Sequence, residues 1–227
     1  MAQTKEKTRQ PTVVEYALDA LRTGIKEGRY TPGQRLIEVD LTRELNISRG
    51  PVREAMHRLA GEGLVVIEPH RGVVVRLLTR KDVAGLYEVR EAIEGLAARL
   101  AAKHIDQADN AKRLRAAIKQ MRDVFDSGDA ASYMESNESL HTLIFELGGN
   151  ETLIKMVQQL RLPVFRLQFS RMMRSSGEAK SDSVGDHEKV VQAILAGNPQ
   201  KAERAMRRHV RHAGRMILYL PDNSFGP

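Results

Sequence analysis

The sequence predicts a mainly α-helical chain in two parts: three short helices closed by a β-hairpin, then an all-α bundle of six or seven helices. Three observations carry this. Apolar residues recur at helical spacing from Val13 onward, two β-branched runs surround a Pro/Gly turn within residues 64–75, and beyond Thr79 every segment has helical period. With 41% hydrophobic and 29% charged residues, the 227-residue chain can bury ordinary cores, which excludes wholesale disorder.

Residues 1–10 are polar and read as a flexible tail, so the first domain is expected over 11–77. Val13, Val14, Ala17, Leu18, Leu21 and Ile25 share one face of a first helix running to Glu27, and Gly28 ends it. Tyr30-Thr31-Pro32-Gly33 reads as a turn. A second helix follows from about Glu38 to Leu45, with Asn46 suited to a left-handed C-terminal cap. Ser48 is placed to cap a third helix whose apolar side is Val52, Ala55, Met56 and Leu59, and Gly61 and Gly63 stop it. Leu64–Ile67 and Val73–Val75 then flank Glu68-Pro69-His70-Arg71-Gly72 as a hairpin. Three helices and a hairpin in this order form the winged helix-turn-helix layout, with the third helix as recognition helix and the hairpin as wing.

Thr79-Arg80-Lys81-Asp82 reads as a capping box, which puts the domain boundary near Leu77–Thr79. The second domain is expected over 79–220, followed by a tail at 221–227. Its helices are placed at about 80–103, 107–126, 129–147, 151–175, 185–196 and 199–219. Ser127-Gly128-Asp129, Gly148-Gly149-Asn150 and Asn198-Pro199 supply the punctuation, and Pro163 should kink the fourth of these helices.

Composition narrows the function classes. No apolar run approaches the ~20 residues of a membrane span, and the polar N-terminus lacks the apolar core of a signal peptide. Zero cysteines exclude disulfides and thiolate metal sites, which suits a reducing, cytoplasmic setting. The net charge of +7 makes a polyanion a candidate partner. That excess is spread evenly: residues 1–78 carry 13 Lys+Arg against 10 Asp+Glu, and the remainder carries 23 against 19. Placement of the charges, not their sum, must therefore carry the argument.

A recognition helix presents donors at its N-terminal end, where side chains reach base edges and backbone N–H groups face a phosphate. Arg49 and Arg53 are four apart and share the face opposite the apolar side. Arginine suits guanine O6/N7 bidentately. Ser48 and the helix start suit a phosphate, His57 and Arg58 lie one turn further on, and Arg71 sits on the wing tip. A solvated basic face would look similar; the capping serine, the tight turn before it and the glycine-tipped hairpin after it favour DNA contact.

The segments Tyr30-Thr31-Pro32-Gly33-Gln34-Arg35-Leu36-Ile37-Glu38, Leu45-Asn46-Ile47-Ser48-Arg49-Gly50-Pro51-Val52-Arg53-Glu54-Ala55, Leu59-Ala60-Gly61-Glu62-Gly63-Leu64 and Arg71-Gly72-Val73 resemble the GntR family of bacterial regulators in order and spacing. The resemblance implies a transcription regulator, repressor or activator, that binds near-palindromic double-stranded operators as a homodimer. It implies DNA contacts at Ser48, Arg49 and Arg53, a phosphate or base contact at Arg35, and a minor-groove contact at Arg71-Gly72. Gly50 departs from the family pattern, which usually has Thr or Ser there.

The histidines are His57, His70, His104, His141, His187, His209 and His212. Asn137 and His141 lie four apart on one helix, so both can point at a single bound atom. No local spacing ties them to His187 or His209, and periodicity alone leaves a shared metal site and separately satisfied histidines both open. Residues 79–220 resemble the FadR-type (FCD) effector domain through Asp82-Val83, Leu86-Tyr87-Glu88-Val89-Arg90, Ile93-Glu94, Asn137-Glu138-Ser139-Leu140-His141, Asp186-His187-Glu188, Ile194-Leu195-Ala196-Gly197-Asn198 and Ala205-Met206 with His209. That resemblance implies a divalent ion held by Asn137, His141, His187 and His209, with Asn137 standing where Asp is frequent. Three imidazoles and an amide oxygen suit Zn²⁺, Ni²⁺ or Mn²⁺, and no organic cofactor is implied.

Such an ion should recruit an anionic effector, most simply a small organic acid. Glu138 is a reserve carboxylate ligand, and His212 is expected outside the ligand set. Arg90 would either clamp the effector's carboxylate or form a helix-surface ion pair with Glu94 at i+4. Two other readings are a regulator that senses the metal alone and a metal-dependent hydrolase. The chain lacks His-Glu-x-x-His, Gly-x-Ser-x-Gly and a P-loop, so an enzyme is not expected.

Overall fold

The computed structural model describes residues 12–160 and 179–226. Along these residues the chain divides into two compact units between Leu77 and Leu78.

The first unit begins with α1 (Val13–Lys26), opened by a capping box in which Glu15 N–H donates to Thr12 Oγ1 at 3.2 Å and Thr12 N–H donates to Glu15 Oε2 at 2.6 Å. Then come β1 (Arg35–Leu36), α2 (Glu38–Leu45), α3 (Arg49–Gly61), β2 (Val65–Glu68) and β3 (Gly72–Val75). Ala17, Leu18, Leu21 and Ile25 of α1 are buried, as are Val52, Ala55, Met56 and Leu59 of α3, and the two helices pack together. Gly24 permits a close approach: a Cβ there would stand 2.4 Å from the Tyr30 ring, whose hydroxyl donates to Glu44 at 2.8 Å. Asn46, at φ 52°, makes the left-handed turn between α2 and α3.

The three strands form one antiparallel sheet in the order β1-β3-β2. The hairpin pairs Val65 with Val75 through to Glu68 with Gly72. Strand β1 was not foreseen; two residues are too short to show a period-2 pattern. It pairs Arg35 with Val74 and Leu36 with Val73, which sets Arg35 beside the wing.

The second unit contains six helices among the described residues: α4 (Arg80–Lys103), α5 (Asn110–Ser127), α6 (Ala130–Gly148), α7 (Glu151–Leu160), α8 (Ala179–Leu195) and α9 (Pro199–Leu218). Thr79 and Asp82 close the expected capping box on α4. Helix α4 is the central element, packed most extensively on α9 and then on α6. Its contact with α9 needs Gly214, where a Cβ would stand 2.8 Å from the Tyr87 ring.

Three boundaries differ from expectation. Helix α5 starts at Asn110, not 107, because Ala108 takes φ 45° and the Asn110 side chain donates to the His104 carbonyl at 2.7 Å. Helix α8 starts by Ala179, not 185; Gly185 lies inside it, at the roughly 1 kcal/mol cost a helix tolerates. Residues 221–227 were expected as a tail; of these, residues 221–226 instead pack against the unit. Asp222–Ser224 form a 3₁₀ turn and Phe225 is buried. Gly226 N–H donates to the Leu78 carbonyl at 3.0 Å. Arg80 donates to the carbonyls of Leu218 and Leu220, pairs with Asp222 at 2.7 Å, and lies over the Phe225 ring at 4.3 Å. The expected kink at Pro163 and the end of the fourth helix of this domain lie outside the described residues. Among the described residues, no helix is long and apolar enough to cross a membrane.

Candidate metal centre and nucleic-acid interface

Three helices of the second unit each bring one histidine to a common point: His141 from α6, His187 from α8 and His209 from α9. All three are buried, His187 to 1% exposure. One nitrogen from each lies within 4.8 Å of the other two. His141 Nε2 and His187 Nε2 are 3.1 Å apart, and the rings of His187 and His209 are centred 4.0 Å apart.

A fourth residue completes the arrangement. Glu94 of α4 is 2% exposed and sets Oε2 2.6 Å from His141 Nδ1, while its Oε1 accepts from Arg90 Nε at 2.7 Å. Burial opposes the charge on Glu94, but Arg90 and His141 outweigh it and hold the carboxyl well below its usual range. An ionised carboxylate only accepts, so Nδ1 of His141 donates to it, and Nε2 is turned towards His187. His209 is held well below the ordinary histidine range by burial first, then by His187 and His141, which keeps it neutral. Imidazole nitrogens 3.1 Å apart need a proton or a cation between them, and a buried three-histidine group could bind a metal. The donor chemistry fits a divalent ion.

The remaining expected site residues fall as follows. Asn137 lies one turn before His141 on α6, half-buried. The Glu138 carboxylate is not among the converging ligand atoms of the described residues. His212 lies outside the group and pairs with Asp186 at 3.1 Å. Arg90 forms the ion pair with Glu94, but in the interior and not on a helix surface. It also lies 4.8 Å from the Tyr87 ring centre, and burial raises the Tyr87 hydroxyl to about 12. Sequence reasoning missed Glu94 as the partner of His141. The available signal was its helical phase: Glu94, Ala97, Ala98 and Ala101 form one buried face of α4, where an acid needs partners.

On the first unit, Ser48 occupies the N-cap of α3 in extended geometry, but its side chain makes no capping hydrogen bond and is exposed, contrary to the expected cap. Arg49 and Arg53 follow on the exposed face. Arg53, 64% exposed, makes a two-pronged pair with Glu38, both bonds at 3.1 Å. Arg58 pairs with Glu54 at 3.0 Å, and His57 is exposed beside it. At the wing, Arg71 pairs with Glu68 at 2.8 Å and Gly72 takes φ 77°. The Arg35 guanidinium lies 3.9 Å from the position of a Cβ on Gly72, which groups Arg35, Arg71 and Gly72 at one edge. At Gly50 nothing lies within 4 Å of an added Cβ, so packing does not explain the absence of a hydroxyl side chain.

A winged helix-turn-helix unit followed by a helical bundle with a buried imidazole cluster defines a DNA-binding regulator with a separate sensor domain. The model for bacterial regulatory proteins of the gntR family matches residues 14–75, and that for the FCD domain matches residues 85–212. A protein of Paenarthrobacter nicotinovorans, named as a D-xylose utilization operon transcriptional repressor, is 30% identical over 221 residues, covering 97% of this chain and 93% of that relative. A GntR regulator structure from Rhodococcus sp. RHA1 superposes with TM-score 0.70 at 25% identity, covering 90% of this chain and 97% of that one. E. coli McbR/YncC superposes with TM-score 0.71 at 19% identity, covering 92% and 98%, and shares the fold. The chain belongs to the GntR family of transcription regulators and carries an FCD domain.

Proposed function

We propose that this regulator reads a near-palindromic operator as a cytoplasmic homodimer, and that a small organic acid received at a divalent ion in the FCD domain controls that reading. The observation that carries the proposal is the convergence of His141, His187 and His209 around Nε2 atoms 3.1 Å apart, with Glu94 fixing the His141 tautomer. His141, His187 and His209 would hold the ion, with Asn137 as the fourth, neutral ligand. When bound, the ion supplies a positive charge that draws a carboxylate into the domain. Zn²⁺, Ni²⁺ and Mn²⁺ all suit this donor set, so availability selects among them. Arg90 adds a second positive charge close to His209, whose protonation it helps to disfavour.

In the first unit, Arg49 and Arg53 are the proposed base readers, and Ser48 with the start of α3 takes a phosphate. Arg35 and the Arg71-Gly72 tip contact the backbone and minor groove. Effector binding controls DNA only if the effector has different affinity for two arrangements of the protein. Catalysis is not part of the proposal: Glu94, the acid nearest the cluster, is committed to His141 and Arg90.

Thermal-shift and calorimetric titrations with Zn²⁺, Ni²⁺, Mn²⁺ and a panel of organic acids, with and without chelator, test the proposal. They are paired with footprinting on the protein's own promoter region at several salt concentrations. About one ion per chain, an acid that binds only with the ion present, and a footprint that this acid alters are expected. An ion that alters the footprint with no acid present would replace the proposal with metal-only sensing. A footprint that responds to neither would overturn it.

A further inference from the structure

The second unit has another charged concavity, on the outside of the same helices. A cavity of about 550 Å³ lies between α8 and α9, lined by Gly185, Asp186, Lys189, Arg208, Arg211, His212 and Arg215. None of the three clustered histidines lines it, so it is separate from the candidate metal centre. Its volume is that of a small-molecule pocket.

Four full positive charges and an imidazole share this wall with one carboxylate. Asp186 is already divided between Lys189, at 3.0 Å, and His212, at 3.1 Å. Arg211 pairs with Glu91 from α4. Among the described residues no ion pair engages Arg208 or Arg215, and both side chains are exposed. Arg208 and Arg211 are three apart and Arg211 and Arg215 four apart, spacings at which like charges on a helix repel. A folded helix keeps such an arrangement at a cost that a bound anion would remove.

Spacing narrows the anion. Arg208 and Arg215 are separated by roughly 10 Å of helix rise, with Arg211 and His212 between them and Lys189 on the facing helix. A single carboxylate would reach only part of this row. Two phosphate groups carried on one small scaffold would reach both ends, and arginine forks match phosphate oxygens in pairs.

We infer that the cleft between α8 and α9 is a second ligand site, specific for a small metabolite carrying two phosphate groups, with Arg208 and Arg215 as its principal anchors and Lys189 and Arg211 completing it. The site needs no metal. Its occupant bears on the two helices that carry His187 and His209, so it is placed to modulate the FCD domain from outside.

The test uses full-length protein in chelator-containing buffer, which separates it from the metal proposal. Fructose 1,6-bisphosphate is the probe, inorganic phosphate the single-group control and a scrambled DNA duplex the polyanion control. The bisphosphate is expected to bind at least tenfold more tightly than phosphate. That binding should fall at least tenfold in the Arg208→Gln/Arg215→Gln double variant, with the circular dichroism spectrum unchanged. Equal bisphosphate affinity in wild type and the double variant overturns the inference. So does binding of the duplex alone, lost in the same variant, which would make the cleft a DNA contact.

Discussion

Glu94 Oε2 stands 2.6 Å from Nδ1 of His141, and its other oxygen is held by Arg90. The pair fixes which nitrogen of His141 faces the histidine cluster, and it raises that nitrogen's basicity. Replacing such a partner typically costs about 10–100-fold in metal affinity, so Glu94→Gln should weaken Zn²⁺ binding by that factor with the fold retained. Competition against a chromophoric chelator measures it. Glu94→Ala is expected to be worse for stability, by up to about 3 kcal/mol, because it leaves the half-buried Arg90 charge without its carboxylate. Unchanged zinc affinity in Glu94→Gln would remove the orienting role.

Arg53 pairs with Glu38 through two hydrogen bonds of 3.1 Å on the exposed face of α3. Arg53→Ala should cost about 1–3 kcal/mol of discrimination for a guanine in the operator half-site. Arg35→Ala should weaken operator and scrambled DNA alike, and lower the slope of log K against log salt by about 1. Fluorescence anisotropy across a salt series separates the two, and identical behaviour of both variants would refute the division between base reader and phosphate contact.

Tyr30 gives an alkaline signature. Burial first, then the hydrogen bond to Glu44, raises its hydroxyl to about 12 from an ordinary value of 10. The unfolded chain therefore loses this proton between pH 10 and 12 while the folded chain keeps it. The stability contributed is fully present below pH 10 and is lost as pH rises through 12. Urea midpoints at pH 9 and 11 should fall less steeply for Tyr30→Phe than for wild type. The chain has no tryptophan, so absorbance at 295 nm reports tyrosine ionisation cleanly, with Tyr30 and Tyr87 as late-titrating groups.

Phe225 is buried beneath Arg80. Phe225→Ala should destabilise the second unit by roughly 2–3 kcal/mol. Arg80→Ala should cost about 1–2 kcal/mol once solvent exposure is allowed for. Differential scanning calorimetry resolves these losses. A transition temperature unmoved by either change would mean that residues 221–226 only rest on the domain.

The first unit was legible from local signals because its punctuation is local. Asn46, Gly63 and Gly72 occupy left-handed backbone, and Thr79 with Asp82 marks the start of α4 within four residues. What escaped sequence reasoning depends on distant partners. Strand β1 exists through its pairing with β3, and Phe225 is buried through contacts with Arg80, 145 positions away in sequence. The histidines show the same limit. Sequence spacing could not join His141 to His187 and His209, and only resemblance grouped them before the helices did. Glu94 was visible as a partner for Arg90 four residues away; its role toward His141, 47 residues on, required the α4–α6 contact.

The Arg80–Phe225 clasp has an architectural consequence. Leu78 and Gly226 are joined by a backbone hydrogen bond, so the sensor domain enters and leaves at the same point. A domain with adjacent ends behaves as a cassette. It could be inserted into a loop of an unrelated host protein, or its ends could be fused and new ones opened at the Gly128 turn, with little strain on the four helices that surround Glu94 and the three histidines.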